Sequence, residues 1–163
     1  MTRLSPRDAT FYFLDEAGAT THLGALLIVA PDTPTKAKQA GAKQAGEASA
    51  PARPALDYKR LVELVENRLQ LVPRYRQLVI PVTLGLARPV WADDPDFDIN
   101  FHIRRAGLPA PGATEQLDDL VSRIRSRPLD RTRPLWEMYL IEGLADGRLA
   151  VLTKSHRCLV DEI

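Results

Sequence analysis

Apolar side chains recur at helical spacing in two stretches of this chain and form short unbroken or loosely alternating runs in several others. Leu61, Leu64, Val65, Leu69 and Val72 fall on one helical face behind Asp57, a side chain suited to capping, and Pro73 ends the run. Leu117, Leu120, Val121 and Ile124 mark a second amphipathic helix behind Thr114; it runs to about Ser126, because Pro128 disfavours helix in the residue before it. Residues 23–29 are apolar throughout and stop at Pro31-Asp32, which predicts a strand buried on both faces. Residues 77–81 read as a strand and 84–91 as a looser extended stretch broken by Gly85 and Pro89. The acidic run 93–98 is a turn leading into 99–105. Residues 136–142 and 148–154 are two strand-like runs whose connection, 143–147, begins and ends in glycine, so they predict a hairpin. These elements predict one α/β (α+β) two-layer domain over residues 1–163.

Composition changes that picture in one place. Residues 33–55 are rich in Ala, Lys, Gln, Gly and Pro, with no apolar side chain larger than alanine, so they cannot bury enough surface to offset ordering and read as a mobile insertion. Elsewhere the chain is ordinary globular material, with 45% hydrophobic residues in 163. Its 22 basic and 21 acidic side chains nearly cancel, which argues against nucleic acid as a partner. No signal-like N-terminus, no membrane-length apolar run and one cysteine predict a soluble, cytoplasmic chain. No Gly-rich phosphate loop follows a strand, and no internal repeat is present.

The candidate chemistry lies in the last eight residues, His156-Arg157-Cys158-Leu159-Val160-Asp161-Glu162-Ile163. They resemble the HHxxxDG segment of the CoA-dependent acyltransferase superfamily, with Arg157 in place of the second histidine and Glu162 in place of the glycine. Further matches follow in order: Leu4-Ser5-Pro6-Arg7-Asp8-Ala9, Thr21-His22-Leu23-Gly24, Val72-Pro73-Arg74-Tyr75-Arg76, the acidic run 93–98 followed by His102 to Arg105, and, most specifically, the run from Arg127-Pro128-Leu129-Asp130 to Pro134-Leu135-Trp136-Glu137. Over nearly its whole length, the insertion excepted, the chain resembles the bacterial wax ester synthase/diacylglycerol acyltransferases.

That resemblance implies the N-terminal half of a chloramphenicol acetyltransferase-like fold, with a C-terminal half that completes a tunnel absent from this chain. It implies transfer of a fatty acyl group from acyl-CoA, a co-substrate, to diacylglycerol or a long-chain alcohol, with no bound cofactor. No metal is expected, because Cys158, His156 and Asp161 lack the paired spacing of a zinc site. Peripheral contact with membrane or lipid droplets stays open because the substrates are apolar. In such a site the second histidine is the general base and the aspartate is structural. His156 takes the first position, Asp161 the aspartate's, and Arg157 the base's. Taking His156 as the base does not rescue the motif, because the aspartate would then fall on Val160. In an extended segment, moreover, neighbouring side chains point to opposite faces. Arginine, with a reference pKa of about 12.5 or higher, is not a usable base at neutral pH. The expectation is therefore an impaired acyltransferase. The alternatives are a non-catalytic lipid- or partner-binding domain on the same fold and, third, a condensation-type relative acting on carrier-protein thioesters.

Blander readings stand beside these. Cys158 reads as a small buried hydrophobe, Leu135 and Trp136 as core anchors, and Asp130, Arg131 and Arg133 as a structural ion-pair network. The acidic run lacks the glycine and terminal glutamate of a calcium loop. His22 and His102 lie far from His156 in sequence, and nothing in the sequence brings either to it.

Overall fold

The computed structural model describes residues 1–18, 21–30, 56–82 and 86–160. In chain order these form β1 (Thr2–Arg3), α1 (Pro6–Glu16), β2 (His22–Val29), α2 (Tyr58–Leu69), β3 (Gln77–Ile80), β4 (Val90–Asp93), α3 (Ile99–His102), β5 (Ile103–Gly107), α4 (Thr114–Ser126), β6 (Trp136–Glu142) and β7 (Leu149–His156). β1, β4 and β3 make a small antiparallel sheet in that order. β2, β7, β6 and β5 make a larger one, antiparallel except that β5 runs parallel to β6. A parallel pair needs a long crossover, and α4 supplies it.

The helices begin where local chemistry satisfies their first N–H groups. Asp57 accepts from the Arg60 N–H at 2.8 Å, and α2 stops ahead of Pro73. At α4 the Gln116 side chain accepts from the Ala113 N–H at 2.7 Å, so Thr114 is the first helical residue. The sequence reading assigns no helix at residues 6–16, yet Ser5 caps one there. Its Oγ accepts from the Asp8 N–H at 3.1 Å and donates to Asp8 Oδ2 at 2.6 Å, and Pro6 starts the first turn.

Strand alternation separates the faces of the larger sheet. Trp136 and Leu140 of β6 join Leu149 and Val151 of β7 beneath α2, while Tyr139, Ile141, Ala150 and Leu152 meet Leu117 and Ile124 of α4. Helix-on-sheet layering therefore occurs on both sides. A third cluster ties Leu4, Ala9 and Tyr12 to Val79 and Trp91 of the small sheet, with Leu135 and Cys158. Leu135 and Trp136 are core anchors, as read from sequence, at 1% and 3% exposed.

The strand at 23–29 forms as β2, but it is not buried on both faces. Leu26, Leu27 and Ile28 are 39%, 63% and 46% exposed. The reason is position: among the described residues, β2 pairs with β7 along one edge, and no β2 residue belongs to the clusters under α2 or α4. The expected insertion at 33–55 lies outside the described residues.

Two buried polar groups stabilise the sheet. Lys154 is fully buried, and its ammonium donates to the Ile124 and Arg127 carbonyls at the C-terminal end of α4, where the helix dipole favours a cation. Burial pulls its pKa below the usual lysine value, against the attraction of Glu137 directly across the ladder. His102, also fully buried, lies stacked between Phe97 and Trp136, with ring centroids at 5.2 and 4.5 Å. Its Nδ1–H donates to the Trp136 carbonyl at 2.8 Å. Asp130, Arg131 and Arg133 hold different segments: Asp130 accepts from the Thr132 N–H and hydroxyl, Arg131 donates to the Tyr12 carbonyl at 2.7 Å, and Arg133 donates to the Asp96 carbonyl and lies 3.8 Å from Asp94.

The loop before α4 is packed against the β6–β7 turn. Gly112 has φ +71°, and a Cβ there would collide with the Gly143 carbonyl oxygen and sit 2.8 Å from the Ala145 nitrogen. Gly147 has φ +68° with nothing within 4 Å of a Cβ. Gly112→Ala is therefore expected to cost about 2–4 kcal/mol in chemical denaturation, and Gly147→Ala only the backbone share of about 1–2 kcal/mol. Equal losses would show that the close approach at Gly112 carries no stability.

Candidate active site

Pairing on both edges fixes the end of β7. His156 lies opposite His22 in the β2 register, and its own N–H donates to the Leu135 carbonyl at 2.9 Å. The chain then leaves the strand in a single 3₁₀ turn, Arg157–Leu159, with His156 as its cap. The Cys158 N–H donates to His156 Nδ1 at 3.1 Å, so in the neutral ring the hydrogen sits on Nε2. Nε2 is 2.8 Å from the Thr21 hydroxyl and accordingly donates to it, with Asp15 Oδ2 3.9 Å away. The ring is 1% exposed. Burial lowers its pKa from 6.5 to about 4, opposed by the negative charge of Asp15 and reinforced by His22 and Arg131.

His156 and Arg157 are separated by a different device from the one expected. The sequence argument uses strand alternation, but position 157 is already in the turn. Its N–H donates to the Thr21 carbonyl at 3.0 Å, and its guanidinium lies 4.6 Å from the centre of the Phe11 ring on α1. The side chain is half-buried rather than enclosed. Asp161 and Glu162 lie outside the described residues. Cys158 is buried in the α1 cluster, and burial pushes its thiol up to about 12, so it behaves as the small hydrophobe expected and offers no thiolate.

The structure brings together residues the sequence leaves apart. His22 Nε2 lies 3.3 Å from Asp15 Oδ1, and the His22 and His156 rings meet edge-on with centroids 5.9 Å apart. Burial lowers the His22 pKa, with Asp15 acting against it. Asp15, Thr21 and His22 therefore surround His156, whereas His102 belongs to the Trp136 stack. Helical spacing could have pointed to Asp15, since Asp8, Phe11 and Asp15 share one face of α1. That signal is visible only once α1 is recognised.

Beside this segment, between α2 and the β6–β7 pair, lies a largely apolar cavity of ≈250 Å³. Leu64, Val65, Leu69, Trp136 and Met138 line it, together with Ser155, the residue before His156. Among the described residues, no helix is long and apolar enough to cross a membrane.

A family model described as wax ester synthase/diacylglycerol acyltransferase catalytic domain matches residues 4–163. The probable diacylglycerol O-acyltransferase tgs3 of Mycobacterium tuberculosis is 48% identical over 163 residues, which is 100% of this chain and 53% of that relative. The putative diacylglycerol O-acyltransferase Rv3087 of the same organism is 34% identical, again over 100% of this chain but 31% of its own length. Among solved structures, the wax ester synthase/diacylglycerol acyltransferase of Marinobacter aquaeolei VT8 superposes with a TM-score of 0.72 at 31% identity, covering 99% of this chain and 34% of that one. The first condensation domain of the calcium-dependent antibiotic synthetase superposes with a TM-score of 0.66 at 15% identity, a likeness of fold alone. The chain spans about half the length of the first of these relatives and about a third of the others. On a family model that matches all but its first three residues, the chain belongs to the wax ester synthase/diacylglycerol acyltransferase family.

Proposed function

We propose that this chain is the N-terminal, histidine-motif part of an O-acyltransferase that moves a fatty acyl group from acyl-CoA to diacylglycerol or a long-chain alcohol, and that Arg157 leaves it weak or inactive. In that reaction the acceptor hydroxyl loses its proton, its oxygen forms the ester bond, the thioester C–S bond breaks, and the sulfur takes up a proton. The observation that carries the reading is the placement of residue 157. His156 has both ring nitrogens engaged inside the fold, so the group available to an incoming hydroxyl is the one at the start of the turn, and there it is a guanidinium. A guanidinium donates hydrogen bonds but takes no proton at neutral pH. The apolar cavity that Ser155 helps to line supports an acyl chain as ligand. Asp161, outside the described residues, is assigned the structural role by position in the motif.

A second reading, a non-catalytic lipid-binding domain, is favoured by the same two observations taken together: an apolar cavity beside a site without a base. Acyl-CoA, the acceptor alcohol and any further part of the protein are partners on the first reading, and fatty acyl binding without turnover distinguishes the second.

Loss of a positioned base costs on the order of 10²- to 10⁴-fold. Arg157→His, made in the longest form of the protein that can be produced, is expected to raise ester formation from acyl-CoA and a long-chain alcohol by about that factor. An unchanged rate in a correctly folded variant sinks the assignment of 157 as the base position.

The role given to His156, structural and neutral, has its own signature. Its folded pKa, about 4, lies below the unfolded 6.5, so between these values the unfolded chain binds the extra proton. Stability is therefore full above pH 6.5, falls as the pH drops towards about 4, and the loss attributable to this residue is about 3 kcal/mol. His22 and His102 are shifted the same way. Urea denaturation at pH 7.5 and 5.0 is expected to show the loss. His156→Asn, which keeps an acceptor for the Cys158 N–H, is expected to be less stable at pH 7.5 but to lose less on acidification. A variant as acid-sensitive as the parent rules out His156 as the source.

A further inference from the structure

A second cavity, of ≈280 Å³, has a polar and basic lining that includes Cys158 and Leu159 of the 157–159 turn. Arg3, Arg74 and Arg88 converge on it against a single carboxylate, that of Asp8. The arginines come from three places: β1, the turn after α2, and the residues preceding β4. The fold therefore gathers them. Arg74 donates to Thr2 Oγ1 at 2.9 Å and Gln77 Oε1 at 3.2 Å, and Arg88 donates to the Leu4 carbonyl at 2.9 Å. All of these acceptors are neutral, so the bonds orient the guanidiniums without cancelling their charge. The Arg74 guanidinium also lies over Trp91, 4.9 Å from the ring centre, and Trp91 is itself 2% exposed. Asp8, the one opposing group, is engaged by the Ser5 hydroxyl at 2.6 Å.

Two guanidiniums held by hydrogen bonds, with Arg3 as a third arginine on the same wall and one carboxylate among them, keep like charges close together, which is unfavourable unless an anion joins them. Guanidinium forks bind the oxygens of phosphate and carboxylate groups bidentately, and a phosphate brings the larger negative charge to offset several cations. We propose that this cavity binds phosphate groups of a substrate, specifically those carried by the CoA part of acyl-CoA; a phospholipid headgroup is the other source of the same chemistry. The inference rests on the acyltransferase reading for the identity of the ligand, while the site itself rests on the arginines alone.

Binding can be tested without turnover, so the state of residue 157 does not enter. Calorimetric titration of the full 163-residue chain with CoA and with 3′-dephospho-CoA, at low and at high salt, is set beside co-sedimentation with phosphatidylcholine vesicles with and without phosphatidylglycerol. The expected result is salt-sensitive binding of CoA that weakens about tenfold or more in Arg74→Gln and in Arg3→Gln, with Arg148→Gln, on the distant hairpin, unchanged. Arg3 is exposed and makes no side-chain bond among the described residues, so Arg3→Gln stays readable if Arg74→Gln disturbs Trp91; circular dichroism checks both. Arginine-dependent binding of phosphatidylglycerol vesicles but not CoA keeps the phosphate site and assigns it to lipid. Binding of neither probe, or binding unaffected by both substitutions, overturns the proposal. Acyltransfer from an N-acetylcysteamine thioester, which carries no phosphate, separates the two readings. Turnover that both substitutions leave intact, with no CoA binding, leaves the reaction standing and removes the site. CoA binding with no turnover, even in Arg157→His, does the reverse.

Discussion

The structure depends on β7 being held on both edges and both faces. It pairs with β2 on one side and β6 on the other, it contributes to the clusters beneath both helices, and Lys154 ties it to the end of α4. A strand so constrained delivers its last residue to one place. His156 arrives there already enclosed, and its ring does the work of a cap: Nδ1 receives the Cys158 N–H and forces the chain to turn at once. The position of residue 157 is thus set by a buried imidazole. The fold and the candidate site share one hydrogen bond.

Much of this was legible because local signals and tertiary packing agree. The helices Tyr58–Leu69 and Thr114–Ser126 carry caps, apolar faces and following prolines, and the 136–154 hairpin carries alternation with glycines at its turn. Where they disagree, sequence alone failed. An apolar run such as β2 has the composition of a strand covered twice, but coverage is decided by where α2 and α4 come to rest, and they rest over β6 and β7. Residues 6–16 escape the pattern because their large apolar side chains, Phe11 to Leu14, come consecutively rather than at helical spacing; the cap Ser5-Pro6 is the readable sign. In the 127–137 stretch Arg131 also reaches α1 and Arg133 the acidic turn, contacts that come from tertiary docking and that spacing within the segment does not encode.

The site shows the same division more sharply. His156 was placed by motif, and its neighbours were not. Asp15, Thr21 and His22 reach it only through the docking of α1 and the β2–β7 register, which are contacts between residues more than a hundred positions apart. No spacing rule in one sequence encodes such a meeting.

The two histidine positions of the motif differ in what the fold asks of them, and this explains how a chain can keep one and not the other. At 156 a cation would have to be buried at 1% exposure among filled hydrogen bonds, a cost the depressed pKa of the imidazole already displays. At 157 the side chain stands at a half-buried edge, where a guanidinium rests against the Phe11 ring and its backbone N–H is satisfied by Thr21 whatever the side chain is. Replacing histidine there removes the group that chemistry requires and none that folding requires. On the proposed reading, catalysis and structure are separable across a single peptide bond, so a member of this family can lose the base while its architecture, its apolar cavity and its basic cavity persist.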